Sequence, residues 1–351
     1  MTFEGRGRGE GQRLKATLAS SLHATGALLA LARARLRRRA LVLMYHRVLS
    51  DEAVAETPSH PAIVVSRTTF DMHVGTLARW FHPMSLEVFQ KVLLSRQPFA
   101  PGSCLVTFDD GWRDNLDQAL PSLEAHGIPA TVFLVASLIG TSKRFWQERM
   151  TEQLRALGSR AATDSALRVR AAAHPRLAPM RASLEARRTV GREEIAAAMS
   201  GLKASPLEEI EAFLATVTDW VGEQASTTDR DFLNWEEVRR MTSRGATFGA
   251  HGVTHRILTH KGTDSAQEIE GSRRLLEREL GAAPEAFCYP NGDFNDDVVA
   301  RVRDAGYRVA FSTRPGYVSA GDNQYEIRRI NMHEDMTCTV PLFLARIAGL
   351  W

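Results

Sequence analysis

The feature that most constrains this chain is a rhythm of short apolar runs rich in strand-forming residues, at 41–45, 104–108, 130–135, 246–250, 286–289, 308–312 and 326–330. Runs of this length without polar alternation read as strands buried on both faces, the signature of a parallel sheet. Helical patterns separate most of them, and several open on recognisable caps: Ser85 before Leu86, Asn234 with Glu237 three residues on, Asp264 with Gln267, and Asn295 before Asp296 and Asp297. Strands alternating with helices predict a parallel α/β sheet or barrel. In such barrels the reactive side chains gather at the carboxyl ends of the strands, so the residues just after each run are the ones to inspect.

One stretch interrupts the rhythm. From about 143 to 230 the sequence is rich in Ala, Arg, Glu and Leu and contains no strand pattern, which predicts a helical insertion. Gly158, Gly191 and Gly201 are expected to break it into separate helices, and Ser205, Pro206 and Glu208 to start the last of them with a capping box.

The first 40 residues form a second unusual region. Nine basic residues (Arg6, Arg8, Arg13, Lys15, Arg33, Arg35, Arg37, Arg38 and Arg39) against Glu4 and Glu10 give this arm a charge of +7, leaving −4 elsewhere in a chain of net charge +3. Leu14, Leu18, Leu22, Leu29 and Leu36 recur near helical spacing between the basic clusters. Residues 1–38 therefore read as a basic amphipathic helical arm, lying on an anionic membrane surface or on its own domain, with residues 39–351 as the main domain. No run of 18 apolar residues is present, and the apolar stretch 26–32 is short and followed by arginines where a signal peptide has its cleavage site. The expectation is a cytoplasmic protein, peripheral to the inner membrane if the arm binds lipid. Cys104, Cys288 and Cys338 lack CxxC spacing, which excludes a zinc knuckle and a disulfide scaffold. The basic residues concentrate in one arm without interleaved aromatics, so no nucleic-acid partner is expected. Oligomeric state is not legible.

Three strand ends carry chemistry. After the second run the chain reads Thr107-Phe108-Asp109-Asp110-Gly111-Trp112. Adjacent carboxylates at a strand-to-turn junction point in different directions, so one can bind a cation while its neighbour serves as a general base. The run at 246–250 leads into His251-Gly252-Val253-Thr254-His255, two imidazoles that can converge on one cation. With Asp110 they make a two-His, one-carboxylate set that leaves positions for water and substrate. A third element, Tyr289-Pro290-Asn291-Gly292, forms a rigid turn able to aim the Asn291 backbone N–H at an oxyanion. Trp112, directly after the Asp-Asp-Gly turn, is expected to line the cleft, and Tyr289 is a further aromatic that could contact a substrate. Trp146 and Trp235 flank the insertion and are expected to pack it, while His23, His60, His73, His82, His126, His174 and His260 read as surface or structural.

In this order the three elements resemble the polysaccharide deacetylases with a NodB-like domain, supported by Tyr45-His46-Arg47-Val48 at the first strand; the resemblance runs from about Leu41 to Asn331 without the insertion. It implies a distorted (β/α) barrel of about seven parallel strands. It further implies Asp109 as general base, Asp110, His251 and His255 as ligands of a divalent ion (Zn foremost, with Co, Ni, Mn or Fe as alternatives), and Asn291 as main-chain oxyanion donor beside Pro290. The implied reaction is hydrolysis of N-acetyl groups on N-acetylhexosamine units of a polysaccharide or its lipid-linked precursor. Two positions depart from the family pattern. Cys288 stands where many members carry an Arg that orients the base, leaving another cation such as Arg47 or Arg329 to substitute, or the base to be oriented differently. The late histidine that supplies the general acid is matched loosely by His333, with His46 an equal alternative. Two other classes fit the same residues: a hydrolase of a small amide or imide, and a glycan-binding relative that has lost activity.

Overall fold

The structure is a computed structural model that describes residues 3–202, 205–223 and 230–351, with side chains from residue 11 onward. The side chains of Glu4, Arg6, Arg8 and Glu10 in the basic arm, and residues 224–229 at the end of the helical stretch, lie outside the described residues. The described chain divides into two compact units: one formed by the segments up to Ala55, Pro61–Thr141 and Arg230–Trp351, the other by Glu56–His60 and Ser142–Asp229.

The larger unit is built on a parallel sheet whose principal strands are β1 (Leu41–Tyr45), β2 (Ser103–Phe108), β3 (Ala130–Leu134), β4 (Thr247–Ala250), β5 (Ala286–Cys288), β6 (Val309–Phe311) and β7 (Ile330–Asn331), in the order β7-β1-β2-β3-β4-β5-β6. A short strand, His82–Pro83, also pairs with β2. Each strand neighbours its predecessor in sequence except that β7 returns beside β1, which curls the sheet into a half-barrel wrapped by helices. At the opposite edge, Phe311 of β6 forms a parallel bridge with Ile327, just before β7. Every residue of β1, β2 and β3 is buried, as expected of strands covered on both faces. The barrel interior is an apolar cluster that includes Val42, Leu105, Phe133, Cys288 and Phe311, with Phe89 and Leu93 from the helix Leu86–Leu94.

Register places the reactive residues. Val42 pairs with Leu105 and Met44 with Thr107, and the Asp109 N–H donates to Tyr45 O at 2.9 Å. Side chains two apart on a strand share a face, so the row Leu105, Thr107, Asp109 lies beside the row Val42, Met44, His46. The inward-facing rows thus end in Asp109 and His46, side by side.

At the amino terminus, helices Phe3–Ala24 and Ala27–Arg35 meet at Gly26, whose φ of 75° only a residue without Cβ adopts easily. Ala19, Leu28, Ala32 and Leu36 are buried, and Lys15 lies over the Trp351 ring, while Leu14 and Leu18 remain 72% and 49% exposed. Arg33, Arg35, Arg37, Arg38 and Arg39 are all exposed. No helix among the described residues is long and apolar enough to cross a membrane.

The smaller unit contains helices and no strand among its described residues: Trp146–Ala161, Ser165–Ala173, Arg181–Glu185, Arg192–Leu202 and Leu207–Val221, with a 3-10 turn at Pro175–Met180. It has its own apolar core, drawn from Met150, Leu154, Leu157, Leu184, Ile195, Phe213, Val217 and others at helical spacing. Two sequence expectations fail here. Gly158 lies inside a helix and does not break it; a Cβ there would stand 2.9 Å from Val190 Cγ2, so the glycine serves close packing, whereas Gly201 is the penultimate residue of Arg192–Leu202, ahead of the helix that starts at Leu207. Pro206, with no side-chain cap, occupies the N-cap position of Leu207–Val221, so the capping box expected from Ser205 and Glu208 does not form.

Candidate active site

The two carboxylates diverge because the backbone turns sharply between them. Asp109 continues the inward row of β2, whereas Asp110 adopts φ 75° and Gly111 φ 80°. Left-handed backbone at an aspartate is uncommon, and three of the five described non-glycine residues with positive φ belong to this site: Asp110, His255 (φ 65°) and Asn291 (φ 58°). At Gly111 a Cβ would meet Leu134 Cδ2 at 2.7 Å, so the turn accepts no side chain there.

Asp110 Oδ1 stands 3.5 Å from His251 Nε2 and 3.5 Å from His255 Nε2. One ligand atom from each of these three residues lies within 4.8 Å of the others. Donors about 2.0–2.1 Å from a tetrahedral ion stand about 3.3–3.4 Å apart, so the 3.5 Å separations suit a single divalent cation. The buried Oδ1 has no hydrogen-bond partner of its own, as an oxygen reserved for a cation should be. His251 Nδ1 lies 2.8 Å from Cys288 O and donates to it, which fixes the tautomer with Nε2 as the free acceptor. Burial lowers both imidazoles to about 4, with the charge of His46 adding to the effect at His255. Both rings are therefore neutral, the form that binds metal, at neutral pH.

Asp109 is held differently. Arg329 is 0% exposed and grips it with two parallel hydrogen bonds, Nη1 to Oδ1 and Nη2 to Oδ2, both 2.7 Å. The same guanidinium donates through Nε to Ser312 O at 2.9 Å, through Nη1 to Thr107 Oγ1 at 3.2 Å and through Nη2 to Cys288 Sγ at 3.0 Å. Burial alone would raise the Asp109 carboxyl, but the charge and hydrogen bonds of Arg329 outweigh it and hold the group well below the usual carboxylate range. His46 Nε2 lies 3.8 Å from Asp109 Oδ2, and His46 Nδ1 is buried without a hydrogen-bond partner among the described residues.

Of the two cations that sequence reasoning offered for orienting Asp109, the structure brings Arg329 to it. Arg47 instead donates through Nε to Asp114 Oδ2 at 2.9 Å and lies 4.1 Å from the centre of the Trp112 ring. His333 follows β7 and precedes the helix Glu334–Thr337, with its carbonyl accepting from Thr337 Oγ1 at 2.8 Å.

Trp112, expected to line the cleft, and Tyr289, a candidate substrate contact, are enclosed. Trp112 is 1% exposed, stacks on Phe232 at 4.6 Å, and donates through Nε1 to Asp110 Oδ2 at 2.9 Å. Both faces and the polar edge of its indole are engaged, which leaves no platform for a sugar ring. The buried Tyr289 ring stacks on Phe294 at 4.8 Å, and its hydroxyl donates to Tyr325 O at 2.9 Å. Pro290 is buried as well, while Asn291 is exposed, its side chain donating to Asp293 Oδ2 at 2.6 Å.

Sequence reasoning missed Glu268. From the helix Ser265–Leu280 it accepts the backbone N–H groups of Val253 at 2.8 Å and Thr254 at 2.9 Å, together with the Thr254 hydroxyl. This buried carboxylate fixes the loop that carries His251 and His255, and a Cβ at Gly252 would meet it at 2.7 Å. Its one sequence signal is an acidic residue beside the buried Ile269 and Ser272, which by itself does not mark a partner 14 residues away.

The family model for polysaccharide deacetylase matches residues 96–201 and 200–310. YxkH of Bacillus subtilis (strain 168), whose name assigns it provisionally to the polysaccharide deacetylases, is 28% identical over 302 residues, 84% of this chain and 72% of its own length. Several solved structures share the fold, among them two deacetylase-like chains of similar extent. The Streptococcus pyogenes deacetylase PplD in complex with acetate has a TM-score of 0.54 at 17% identity, covering 86% of this chain and 95% of its own. IcaB from Ammonifex degensii has 0.55 at 16% identity, covering 89% and 97%. With the family model spanning more than half of the sequence and including Asp109, Asp110, His251 and His255, the chain belongs to the polysaccharide deacetylases, hydrolases that act on amide bonds.

Proposed function

We propose that this deacetylase removes the N-acetyl group from N-acetylhexosamine units of a polysaccharide or its lipid-linked precursor, using a divalent ion, Zn foremost, held by Asp110, His251 and His255. The observation that carries this reading is the convergence of a partnerless buried oxygen, Asp110 Oδ1, with two Nε2 atoms at 3.5 Å each, next to a second, Arg-bound carboxylate. When bound, the ion supplies Lewis-acid polarisation of the acetamide carbonyl and of the attacking water.

The remaining steps fall to the chain. Asp109, ionised because Arg329 neutralises it, takes the proton from the attacking water. Arg329 keeps the carboxylate aligned through both oxygens, the part that the family resemblance assigns to an Arg at the position of Cys288. The Asn291 backbone N–H, turned by the left-handed conformation of that residue, stabilises the developing oxyanion beside Pro290. Acetate leaves together with an amine that must be protonated.

For that proton His46 is the donor favoured by its position, 3.8 Å from Asp109 at the end of the neighbouring inward row. His333 is the alternative. A general acid contributes about 10²–10⁴-fold and sets the basic limb of the pH profile. His46→Gln should therefore lose turnover on that scale together with the basic limb, with His333→Gln retaining both. The reverse pattern would transfer the role to His333, and normal profiles in both would remove it from either.

The exposed arginines at 33–39 and the exposed Leu14 and Leu18 support contact of the N-terminal arm with an anionic membrane, where a lipid-linked precursor would be met. Acetate release tests substrate and location together, using N-acetylated oligosaccharides and lipid-linked N-acetyl sugars in anionic and zwitterionic vesicles. The reading predicts release from N-acetylhexosamine substrates, enhanced on anionic vesicles. Release only from small non-sugar amides would contradict it.

A further inference from the structure

We propose that Trp112 is a positioning residue for the cation ligand Asp110: its indole N–H reserves Oδ2, so that Asp110 offers the cation one oxygen, Oδ1. The inference rests on the reading of Asp110, His251 and His255 as a cation site.

The local sequence dictates the arrangement. Gly111, at φ 80°, reverses the chain between the two residues, and Trp112 Nε1 reaches back to Asp110 Oδ2 at 2.9 Å. An indole N–H is a donor only and has one direction, so its hold on the carboxylate depends on how firmly the ring is fixed. The ring is clamped on two sides: Phe232 stacks at 4.6 Å with an interplanar angle of 29°, and the Arg47 guanidinium sits 4.1 Å from the ring centre. Arg47 is in turn fixed by Asp114, which accepts from Arg47 Nε at 2.9 Å through Oδ2 and from the Val48 N–H at 2.9 Å through Oδ1. The chain of contacts therefore runs from a part-buried ion pair, through a packed indole, to one oxygen of the ligand carboxylate.

The two Asp110 oxygens are unequal as a result. Oδ2 is hydrogen-bonded and Oδ1, facing both histidines, is not. A carboxylate bound through one oxygen occupies one position on a cation and leaves the others for water and substrate, whereas one free to turn can chelate through both. Outer-sphere partners of this kind typically change metal affinity about 10–100-fold when removed.

Two replacements separate the N–H from the packing. Trp112→Phe keeps an aromatic ring without the donor, and the benzothienyl analogue of tryptophan, incorporated at position 112, keeps the full bicyclic shape with sulfur in place of N–H. Three quantities are compared with the wild type: Zn²⁺ affinity in competition with a chromophoric chelator, the visible spectrum of the Co²⁺-loaded protein, and the thermal midpoint of the metal-free protein. The expected result for the analogue is Zn²⁺ binding about 10–100-fold weaker, an altered Co²⁺ spectrum, and an unchanged metal-free midpoint. An analogue with wild-type Zn²⁺ affinity and an unchanged Co²⁺ spectrum would overturn the inference, and decides the matter even if Trp112→Phe does not fold. A wild-type protein that binds neither ion would overturn the cation-site reading and this inference with it.

Discussion

Replacing Asp109 with Asn is expected to lower turnover by about 10²–10⁴-fold, the usual contribution of a positioned base, while the protein retains a full complement of metal. Asp109 and Asp110 are adjacent, yet they occupy different environments: Asp109 is bound by Arg329 through both oxygens, and Asp110 faces the two histidines. The matching Asp110→Asn change should remove metal and activity together. Metal analysis and steady-state kinetics on the two variants check the division of labour. If Asp109→Asn turned over at near the wild-type rate, the base would lie elsewhere. Because Arg329 keeps the Asp109 carboxyl well below the ordinary carboxylate range, an acidic limb in the wild-type profile near neutral pH would belong to another group.

The second large effect concerns Arg329. Truncation to Met leaves Asp109 buried without its counter-charge, and breaking one partner of a fully buried pair costs about 3–5 kcal/mol of stability. The pH dependence has a definite sign. In the wild type the folded-state value of Asp109 lies below its unfolded value of about 4, so the pair's stabilisation is present above that pH and is lost as pH falls through the folded value. In Arg329→Met the charge and hydrogen bonds that outweigh burial are gone, and burial, opposed only by the weaker pull of His251 and His46, is expected to raise the carboxyl above its unfolded value. The variant's stability is then retained below about pH 4 and lost as pH rises through the new folded value. Denaturant unfolding of the metal-free proteins should show a large deficit at pH 7 that shrinks near pH 4, with Asp109→Asn in the Arg329→Met background recovering part of it. A deficit that is small, or equal at both pH values, would contradict the account.

How much of this was legible in the sequence varies with the range of the interaction. The strands were legible because their burial on both faces leaves uninterrupted apolar runs, as at Leu41–Tyr45. Asp109 and His251 were legible because each follows such a run directly, Asp110 as the neighbouring carboxylate and His255 as a second imidazole four residues on. Arg329 appeared only as one of two cations, since its approach to Asp109 depends on the segment before β7 lying along β6, through the bridge between Phe311 and Ile327. Nothing local records that pairing. Trp112 was assigned to the cleft on its position after the turn, but the direction of an indole is decided by Phe232 and Arg47, which are distant in sequence. Glu268 escaped notice for the same reason, because its partners are backbone N–H groups on another loop.

Acetate release and metal content, followed on the same preparations, test the central claim most directly. Wild-type protein and His255→Ala are assayed on an N-acetylated oligosaccharide as purified, after chelation, and after Zn²⁺ is restored. The account predicts a wild type that carries about one divalent ion per chain, loses activity with the ion and regains it with Zn²⁺, and a His255→Ala protein low in both metal and activity. Full activity in the chelated wild type, or equal metal content in the two proteins, would contradict it.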